Sequence, residues 1–182
     1  MVKKILLGAM LASMVNLFAQ QEKSLPKEPV TVHSVDLKKY TGLWYEIAKI
    51  PNWFQKKCVK NTTAFYKTNS NGSISVVNSC INEDGEQTKA EGTARVVDKV
   101  SNAKLEVSFV SIFGINLFWG DYWIIGLDEN YTFAIIGTPN RKYGWILNRE
   151  PQMTKENLEK AFAILRNQGY NPNDFIMTTQ QY

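Results

Sequence analysis

From Leu43 to Arg149 the chain consists of short runs rich in β-branched and aromatic residues, separated by turn-forming residues. The separators include Asn71-Gly72 and Asp84-Gly85, which favour β-hairpins. Runs of this kind are typical of strands. The predicted strands cover residues 43–50, 60–68, 73–81, 89–97, 103–111, 120–127, 131–137 and 143–149. Eight strands at near-regular spacing, with no helix between them, predict an all-β antiparallel barrel or sandwich.

One amphipathic helix follows the strands. Thr154 suits its N-cap and Gly169 suits the stop at its C-terminus. Apolar side chains recur at helical spacing along one face at Leu158, Ala161, Phe162 and Leu165. A single helix after a closed sheet is expected to pack on its outside. Residues 174–177 are predicted to form a last short strand that pairs with the first.

The loops indicate which end of an up-and-down barrel is open. Consecutive hairpins alternate between the two ends, so the first, third, fifth and seventh connections share one end. That end receives the long apolar segments PNWFQKK and SIFGINLFWG, whereas the other end has only tight turns. The sequence therefore predicts a barrel closed at one end and open, with an apolar rim, at the other.

Trp44 and Arg149 are predicted to form the barrel floor. Trp44 starts the first strand and Arg149 ends the eighth, so both fall at the closed end, on the two strands that must meet for closure. A guanidinium over an indole face contributes about 0.5–2 kcal/mol. The alternative is an ordinary core tryptophan and an unrelated surface arginine.

The N-terminus has the pattern of a secretory signal. Lys3 and Lys4 precede an apolar run that ends at Ala19, a small residue suited to cleavage. The alternative, an uncleaved membrane anchor, normally needs about 20 apolar residues. We predict a signal peptide over 1–19, an extended tether over 20–35 and one folded domain over 36–182. No cysteine precedes Cys58, so a lipoprotein anchor is not expected, and the mature protein is predicted to be soluble, in the periplasm or secreted.

Charge and residue usage argue against several functions. Removing residues 1–19 deletes two lysines and lowers the formal charge from +4 to +2, and no dense basic block indicates nucleic acid. The only histidine, His33, lies in the tether, so neither a histidine-based triad nor a histidine metal site is expected. We predict no catalytic residues, no metal and no cofactor.

The two cysteines, Cys58 and Cys80, are predicted to form one disulfide. The turn near Asn69–Gly72 places them within about a residue of facing each other across the second and third strands, at the open end. The bridge would tie the first loop to the barrel wall. The alternative is two free thiols.

Three motifs resemble those of the lipocalin family. Gly42-Leu43-Trp44-Tyr45-Glu46 resembles the first motif, Gly120-Asp121-Tyr122 the second and Trp145-Ile146-Leu147-Asn148-Arg149 the third. Longer segments such as GLWYEIAKIPNWFQKKC and YGWILNREP are similar to the bacterial lipocalin and apolipoprotein D branch. The resemblance spans about residues 35–180. The sequence departs from the pattern at Gly120, where threonine is usual, and by having no cysteine beyond Cys80 to pair with Cys58.

The resemblance implies an eight-stranded barrel that binds, stores or transports small hydrophobic ligands such as fatty acids or lysophospholipids. An alternative function is a cysteine-dependent lipocalin enzyme acting on oxidised lipids, with Cys58 as the nucleophile. A disulfide would exclude that activity because it leaves no free thiol.

Strand alternation and the resemblance together predict the ligand-binding residues. On the fifth strand, Leu105, Val107 and Phe109 share one face. On the eighth, Tyr143 and Trp145 share a face, and Trp145 matches a ligand-contacting family residue. The full predicted set is Trp145, Tyr143, Leu105, Val107, Phe109, Phe54, Phe113 and Phe118. Small residues at Gly92, Ala94 and Gly126 are expected to leave room for a cavity, the alternative being a filled core.

Two further features concern the open end. Glu46 has the parity of Trp44 and is expected to point inward, either hydrogen-bonded within the fold or as a ligand anchor. Trp53 and Phe54 lie beside Lys56 and Lys57, a combination that suits a lipid interface. The apolar loop over 112–119 is expected to act either as a lid or as a second transient membrane contact.

Overall fold

The computed structural model describes residues 26–181, in which eight antiparallel strands close into a barrel. Successive barrel strands pair with each other, and the last of them pairs back onto the first. The barrel strands are β1 (Gly42–Lys49), β2 (Lys60–Thr68), β3 (Ile74–Ile81), β4 (Gln87–Val96), β5 (Lys104–Ser108), β8 (Gly120–Leu127), β9 (Phe133–Gly137) and β10 (Gly144–Asn148). The predicted barrel is confirmed. The predicted signal peptide, residues 1–19, lies outside the described residues.

Three short strands lie outside the barrel ladder. β6 (Val110–Ile112) and β7 (Ile115–Leu117) form a separate two-stranded hairpin between β5 and β8. β11 (Ile176–Met177) pairs with the last residues of β1, as predicted. It occupies the edge of β1 that β2 leaves unpaired, because the β1–β2 ladder runs only from the Gly42–Tyr66 pair to the Tyr45–Thr63 pair.

Two helices complete the fold: α1 (Leu37–Tyr40) and α2 (Lys155–Asn167). Helix α2 is the predicted helix. The Thr154 side chain accepts a hydrogen bond from the Asn157 N–H, and Gly169 follows the helix with a φ of +79°. The predicted apolar face of α2 packs on the outside of the barrel, where Ala161 and Leu165 are fully buried.

The apolar side chains form two clusters, one on each face of the sheet. The interior cluster fills the closed half of the barrel and includes Trp44, Val76, Leu105 and Leu147. The outer cluster lies between the sheet and α2 and includes Ile47, Ile125, Ile135, Ile146 and Leu165. Alternation along the strands therefore determines which face each residue serves.

Two β-bulges shift that alternation. In β1 the register shifts between Glu46 and Ala48, so Ile47 and Ala48 both join the outer cluster and Lys49 returns to the interior. In β8 the register shifts between Ile124 and Gly126. The expectation that Gly126 leaves room in the cavity is therefore wrong: a Cβ there would lie 2.9 Å from Ile164 of α2, on the outer face.

The floor of the barrel is built around Trp44. This tryptophan is completely buried, and its Nε1 donates to the Tyr40 carbonyl at 2.8 Å. The Arg149 guanidinium carbon lies 3.8 Å from the centroid of the Trp44 ring. Gly42, with a φ of +99°, leaves room for the arginine, since a Cβ there would lie 3.3 Å from Nη1.

Arg149 also joins the floor to α1. Its Nη1 donates to the Leu43 carbonyl at 2.7 Å, and its Nη2 donates to the Lys39 carbonyl at 2.6 Å and the Thr41 carbonyl at 3.0 Å. One side chain thus satisfies carbonyls at the end of a helix that is only one turn long and holds that helix beneath the barrel.

Residues 26–35, the described part of the predicted tether, lie against the barrel. Arg141 donates to the carbonyls of Pro26 and Lys27, at 2.8 and 3.0 Å. Val35 is buried in the interior cluster, and its N–H donates to the Ser101 carbonyl at 2.8 Å. This part of the segment is therefore packed against the domain.

Cys58 and Cys80 form a disulfide, as predicted, with their Cα atoms 5.5 Å apart. Cys58 does not lie opposite Cys80 within a ladder, however, because β2 begins only at Lys60. The bridge instead joins the end of the β1–β2 loop to β3. It fixes that loop at the open end of the barrel.

We expect Arg149→Ala to lower the free energy of unfolding by about 2–3 kcal/mol, because the cation–π contact and several charge-assisted hydrogen bonds are lost together. Arg149→Lys should recover only part of this, since an ammonium cannot reach the same set of carbonyls. Urea unfolding of the two variants and the unchanged protein measures the difference. A loss of ligand affinity at unchanged stability would contradict the assignment of Arg149 to the floor.

Candidate ligand site at the barrel mouth

Three aromatic side chains surround the mouth of the barrel. Trp145 lies on the interior face of β10, and Tyr143 precedes that strand with its ring stacked at 6.2 Å from the indole, centroid to centroid. Phe54, from the β1–β2 loop, lies 5.4 Å from the Tyr143 ring and 6.3 Å from the Trp145 ring. These three predicted site residues are therefore neighbours in the structure.

Gln55 connects the β1–β2 loop to both sides of the mouth. Its Oε1 accepts from Trp145 Nε1 at 2.9 Å, and its Nε2 donates to Glu46 Oε2 at 2.8 Å. Asn52 caps the short 3-10 turn at Trp53–Gln55 by accepting from the Gln55 N–H at 2.9 Å. The turn places Phe54 and Gln55 side by side at the mouth.

A buried ion pair lies beneath this loop. Glu46 points inward, as expected, and its Oε1 lies 3.1 Å from Lys49 Nζ, with only 3% and 8% of the two side chains exposed. Thr178 donates to the same carboxylate oxygen at 2.6 Å, from the segment that follows β11. Lys49 is opposite Trp145 in the β1–β10 ladder, and opposed residues share a face of the sheet. The pair therefore belongs to the barrel interior.

Three tyrosines form a polar layer below the mouth. Tyr122 shares hydrogen bonds with Tyr40 and Tyr66, at oxygen–oxygen distances of 2.7 and 2.9 Å. Burial raises the pKa of Tyr66 to about 12, and it raises the pKa values of Tyr40 and Tyr122 well above 10. All three hydroxyls are therefore neutral at physiological pH and form a layer of uncharged hydroxyl groups between the floor and the mouth.

The predicted residues of the fifth strand occupy different depths. Leu105 is buried in the interior cluster, and Val107 packs against that cluster while partly exposed. Phe109 follows the end of β5, and its ring lies against Gly92: a Cβ at Gly92 would be 2.7 Å from it. The room that Gly92 was expected to leave is therefore taken by Phe109, whereas Ala94 faces the interior as expected.

Phe113 and Phe118 are not part of the barrel interior, contrary to the predicted ligand-binding set. Their side chains are 101% and 83% exposed. The reason is local pairing: the segment pairs with itself in the β6–β7 hairpin instead of lying across the mouth. Of the two roles expected for the 112–119 loop, a lid over the mouth is not the conformation present here.

Sequence reasoning missed Lys49 and Gln55. Strict alternation from Trp44 and Glu46 places Lys49 outside, and only the bulge in β1 brings it in. No sequence feature predicts the role of Gln55, although it lies between the aromatic pair Trp53-Phe54 and the lysine pair Lys56-Lys57. In the tyrosine layer, Tyr66 and Tyr122 come from barrel strands, whereas Tyr40 comes from α1, where strand alternation gives no signal.

The polar and aromatic groups at the mouth include three rings, one amide and one ion pair. Both cysteines of the chain are in the disulfide, and residues 26–181 contain no cluster of potential metal ligands. Over the same residues no helix is long and apolar enough to cross a membrane. An aromatic mouth over a largely apolar interior is typical of one class, the β-barrels that bind small hydrophobic molecules.

Comparison with known proteins agrees with this class. A family model described as "Lipocalin-like domain" matches residues 35–180. The chain belongs to the lipocalin family, whose members bind small hydrophobic ligands.

Several relatives resemble the whole domain. Outer membrane lipoprotein Blc of Citrobacter freundii is 38% identical over 156 residues, covering 85% of each chain. Temperature-induced lipocalin-1 of Arabidopsis thaliana is 36% identical over 157 residues, covering 85% of this chain and 84% of the relative. Apolipoprotein D of Macaca fascicularis is 33% identical over 194 residues, covering 100% and 97%.

Solved structures show the same fold at lower identity. Insecticyanin from the tobacco hornworm Manduca sexta has a TM-score of 0.67 and 22% identity, covering 87% of this chain and 92% of that chain. Lobster apocrustacyanin A1 has a TM-score of 0.64 and 19% identity, covering 85% and 91%.

Because of the tyrosine layer, we expect the free energy of unfolding to fall at alkaline pH. The folded-state pKa of Tyr66 lies above the ordinary value of 10.0, so its contribution is present in full below pH 10 and is lost as pH rises to about 12. A shift of this size corresponds to about 2–3 kcal/mol. We expect Tyr66→Phe to reduce the fall in unfolding free energy between pH 10 and 12, measured by urea unfolding. An unchanged slope would contradict this role.

Proposed function

We propose that this protein takes up a single amphiphilic lipid through the aromatic mouth and holds it with its chain directed into the barrel. The observation that carries the proposal is the partly exposed interior face of Trp145, between Tyr143 and Phe54. Such rings provide a large apolar contact area at the one end of the barrel that the floor does not seal. Leu105, Val107 and Phe109 continue the apolar surface inward along β5.

The role proposed is binding and transfer, without catalysis. The alternative of a cysteine-dependent enzyme requires a thiolate, and Cys58 is oxidised in the disulfide. Among the remaining polar groups at the mouth, Lys49 and Gln55 both contact the Glu46 carboxylate, an arrangement that suits recognition of a ligand more than activation of a nucleophile.

We also propose that the open end contacts membrane surfaces while loading or unloading lipid. Phe113 and Gly114 form the two-residue turn of the β6–β7 hairpin, both with positive φ, at 49° and 79°. Such turns favour Asn-Gly, and a phenylalanine in the left-handed region is strained. A strained and fully exposed aromatic residue at a hairpin tip is best explained by insertion into an apolar phase.

The β1–β2 loop supplies the second contact. Trp53 is 79% exposed, and Lys56 and Lys57 beside it are also exposed. Tryptophan is favoured at the membrane–water interface, and each lysine near an anionic surface contributes about 1 kcal/mol. Both loops flank the same end of the barrel, so one docking event would bring the mouth to the lipid surface.

The protein is proposed to act outside the cytoplasm. The disulfide supports this, because such bonds persist in oxidising compartments such as the periplasm or the extracellular space. The signal peptide over 1–19 and the expected lack of a lipid anchor stay predictions. The mass of the protein recovered from cells decides both.

We expect Trp145→Ala to weaken binding of palmitic acid by at least about tenfold, because a large apolar contact at the mouth is lost. Displacement of a fluorescent fatty acid from delipidated protein measures the affinity. Trp123→Ala serves as the matched control, since Trp123 belongs to the outer cluster. Equal loss in both variants, or no loss in either, would count against the proposed site.

Replacing both Phe113 and Phe118 by Asn should lower partitioning onto anionic phosphatidylglycerol-containing vesicles by at least about tenfold. Asparagine tolerates positive φ, so the hairpin is retained or strengthened while the aromatic rings are removed. Val100→Ser, at a 93% exposed apolar site in the β4–β5 loop of the closed end, is the matched control. Sedimentation with vesicles reports binding, and unchanged partitioning of the Phe113/Phe118 variant would refute the membrane contact.

A further inference from the structure

Lys49 has more hydrogen-bond donors than the described residues provide acceptors for. Its ammonium carries three N–H groups, and its side chain is only 8% exposed. Within residues 26–181, the one acceptor in contact with it is Glu46 Oε1, at 3.1 Å. A buried charged donor left without acceptors is costly, and residues 26–181 offer the remaining donors of Lys49 no further acceptor.

The Thr62 hydroxyl is a second buried polar group that has no hydrogen-bond partner among the described residues. Its side chain is buried, and its Oγ1 is the one buried side-chain oxygen or nitrogen of the described residues without a hydrogen-bond partner. Thr62 is two residues before Ala64, which belongs to the interior cluster. It is next to Thr63, whose pair with Tyr45 is the last one in the β1–β2 ladder. The β2–β3 register shifts between Lys60 and Thr63, but burial still alternates along β2 at Thr62, Ala64 and Tyr66. Thr62 therefore lies on the interior side of β2, and the Gln180 amide, which donates to the carbonyls of both Glu46 and Thr62, places these two residues beside each other.

Glu46 is already engaged by other donors, so it does not serve as a further hydrogen-bond partner for Lys49 or Thr62. Its Oε1 already receives Thr178 and Lys49, and its Oε2 receives Gln55. The Gln180 amide donates to the backbone carbonyls of Glu46 and Thr62, at 2.8 and 2.9 Å, which fixes the two strands where their ladder has ended. The backbones of Glu46 and Thr62 are thus held next to each other, beside the Lys49 ammonium and the Thr62 hydroxyl.

We propose that Lys49 and Thr62 form the head-group site of this lipocalin, and that it takes an amphiphile ending in an anionic oxygen group, either a carboxylate or a phosphate monoester. The oxygens of the head group accept from Lys49 Nζ and Thr62 Oγ1. The acyl chain extends past Trp145, which is opposite Lys49 in the ladder. The inference rests on the proposed function and specifies which end of the ligand lies at the mouth.

The charges of Lys49 and Glu46 favour an anionic head group over a neutral one. Hydrogen bonds from an ammonium to a charged oxygen are roughly twice as strong as those to a neutral one. Glu46 opposes an incoming anion, but three donors compensate its charge, whereas Lys49 has one acceptor within the part of the chain that the structure describes. The exposed Lys56 and Lys57 on the adjoining loop add a favourable field at the mouth.

The test compares three probes with the same alkyl chain: palmitic acid, hexadecyl phosphate and 1-hexadecanol. Delipidated protein should bind the acid and the phosphate at least about tenfold more tightly than the alcohol. A stronger response to the phosphate would point to phospholipid head groups, and a stronger response to the acid to free fatty acids. Either order supports the site.

Variants then assign the preference to the named residues. Thr62→Val should lower affinity for the acid by about 2–10-fold without loss of stability, since the hydroxyl has no partner in the ligand-free fold. Glu46→Gln should strengthen binding of the acid and leave the alcohol unchanged. Glu46→Gln combined with Lys49→Met, which removes both charges together, should bind all three probes alike. Lys67→Met, on an exposed site of β2, is the matched control and should keep the preference.

The outcomes separate the inference from the function on which it rests. Equal binding of the three probes by the unchanged protein, or a preference that survives in the double variant, overturns the head-group site and leaves lipid binding standing. If none of the probes binds, the proposed function fails and the head-group site fails with it.

Discussion

The seam at which β1 meets β10 is the constraint on which the rest of the structure depends. A barrel exists only if its first and last strands pair, and here β1 also supplies Trp44 to the floor and Glu46 and Lys49 to the mouth. Arg149 follows β10 and covers Trp44 from below, so the residue that closes the floor also secures the seam. Loss of this closure would expose two strand edges and both apolar clusters at once.

The same strand shows how far the sequence predicted the protein. The strands, the outer helix, the Trp44–Arg149 contact and the disulfide follow from patterns that physical chemistry fixes locally: alternation, turn residues, capping and the meeting of strand ends. Lys49 did not follow, because a single bulge in β1 reverses the alternation just before it. Gly126 was placed on the wrong face for the same reason in β8.

The remaining differences have other causes. Helix α1 is one turn long, so it has no periodicity to recognise, and it exists because Arg149 and Trp44 bond to its carbonyl end. The apolar segment over 112–119 was expected to act either as a lid or as a membrane contact. Composition alone does not distinguish these roles. The pairing of Val110 with Leu117 does, because it folds the segment into a hairpin instead of a lid. The composition identified the segment as apolar, but its strand pairing was not predicted, and the exposed Phe113 and Phe118 were placed in the ligand-binding set.

The β1–β2 loop has a kinetic consequence. The Ile50 N–H still donates to the Gly144 carbonyl at 2.9 Å, and the loop is fixed again at Cys58 by the disulfide. The segment between these two points forms a flap that is attached to the barrel at both ends. The free part of the flap is held by the Gln55 amide, which bonds to β1 through Glu46 and to β10 through Trp145. Raising the flap breaks both bonds in one event and lifts Phe54 from its aromatic neighbours. If a molecule enters through the mouth as proposed, we expect its residence time to depend on how often the Gln55 side chain releases as well as on the depth of the barrel.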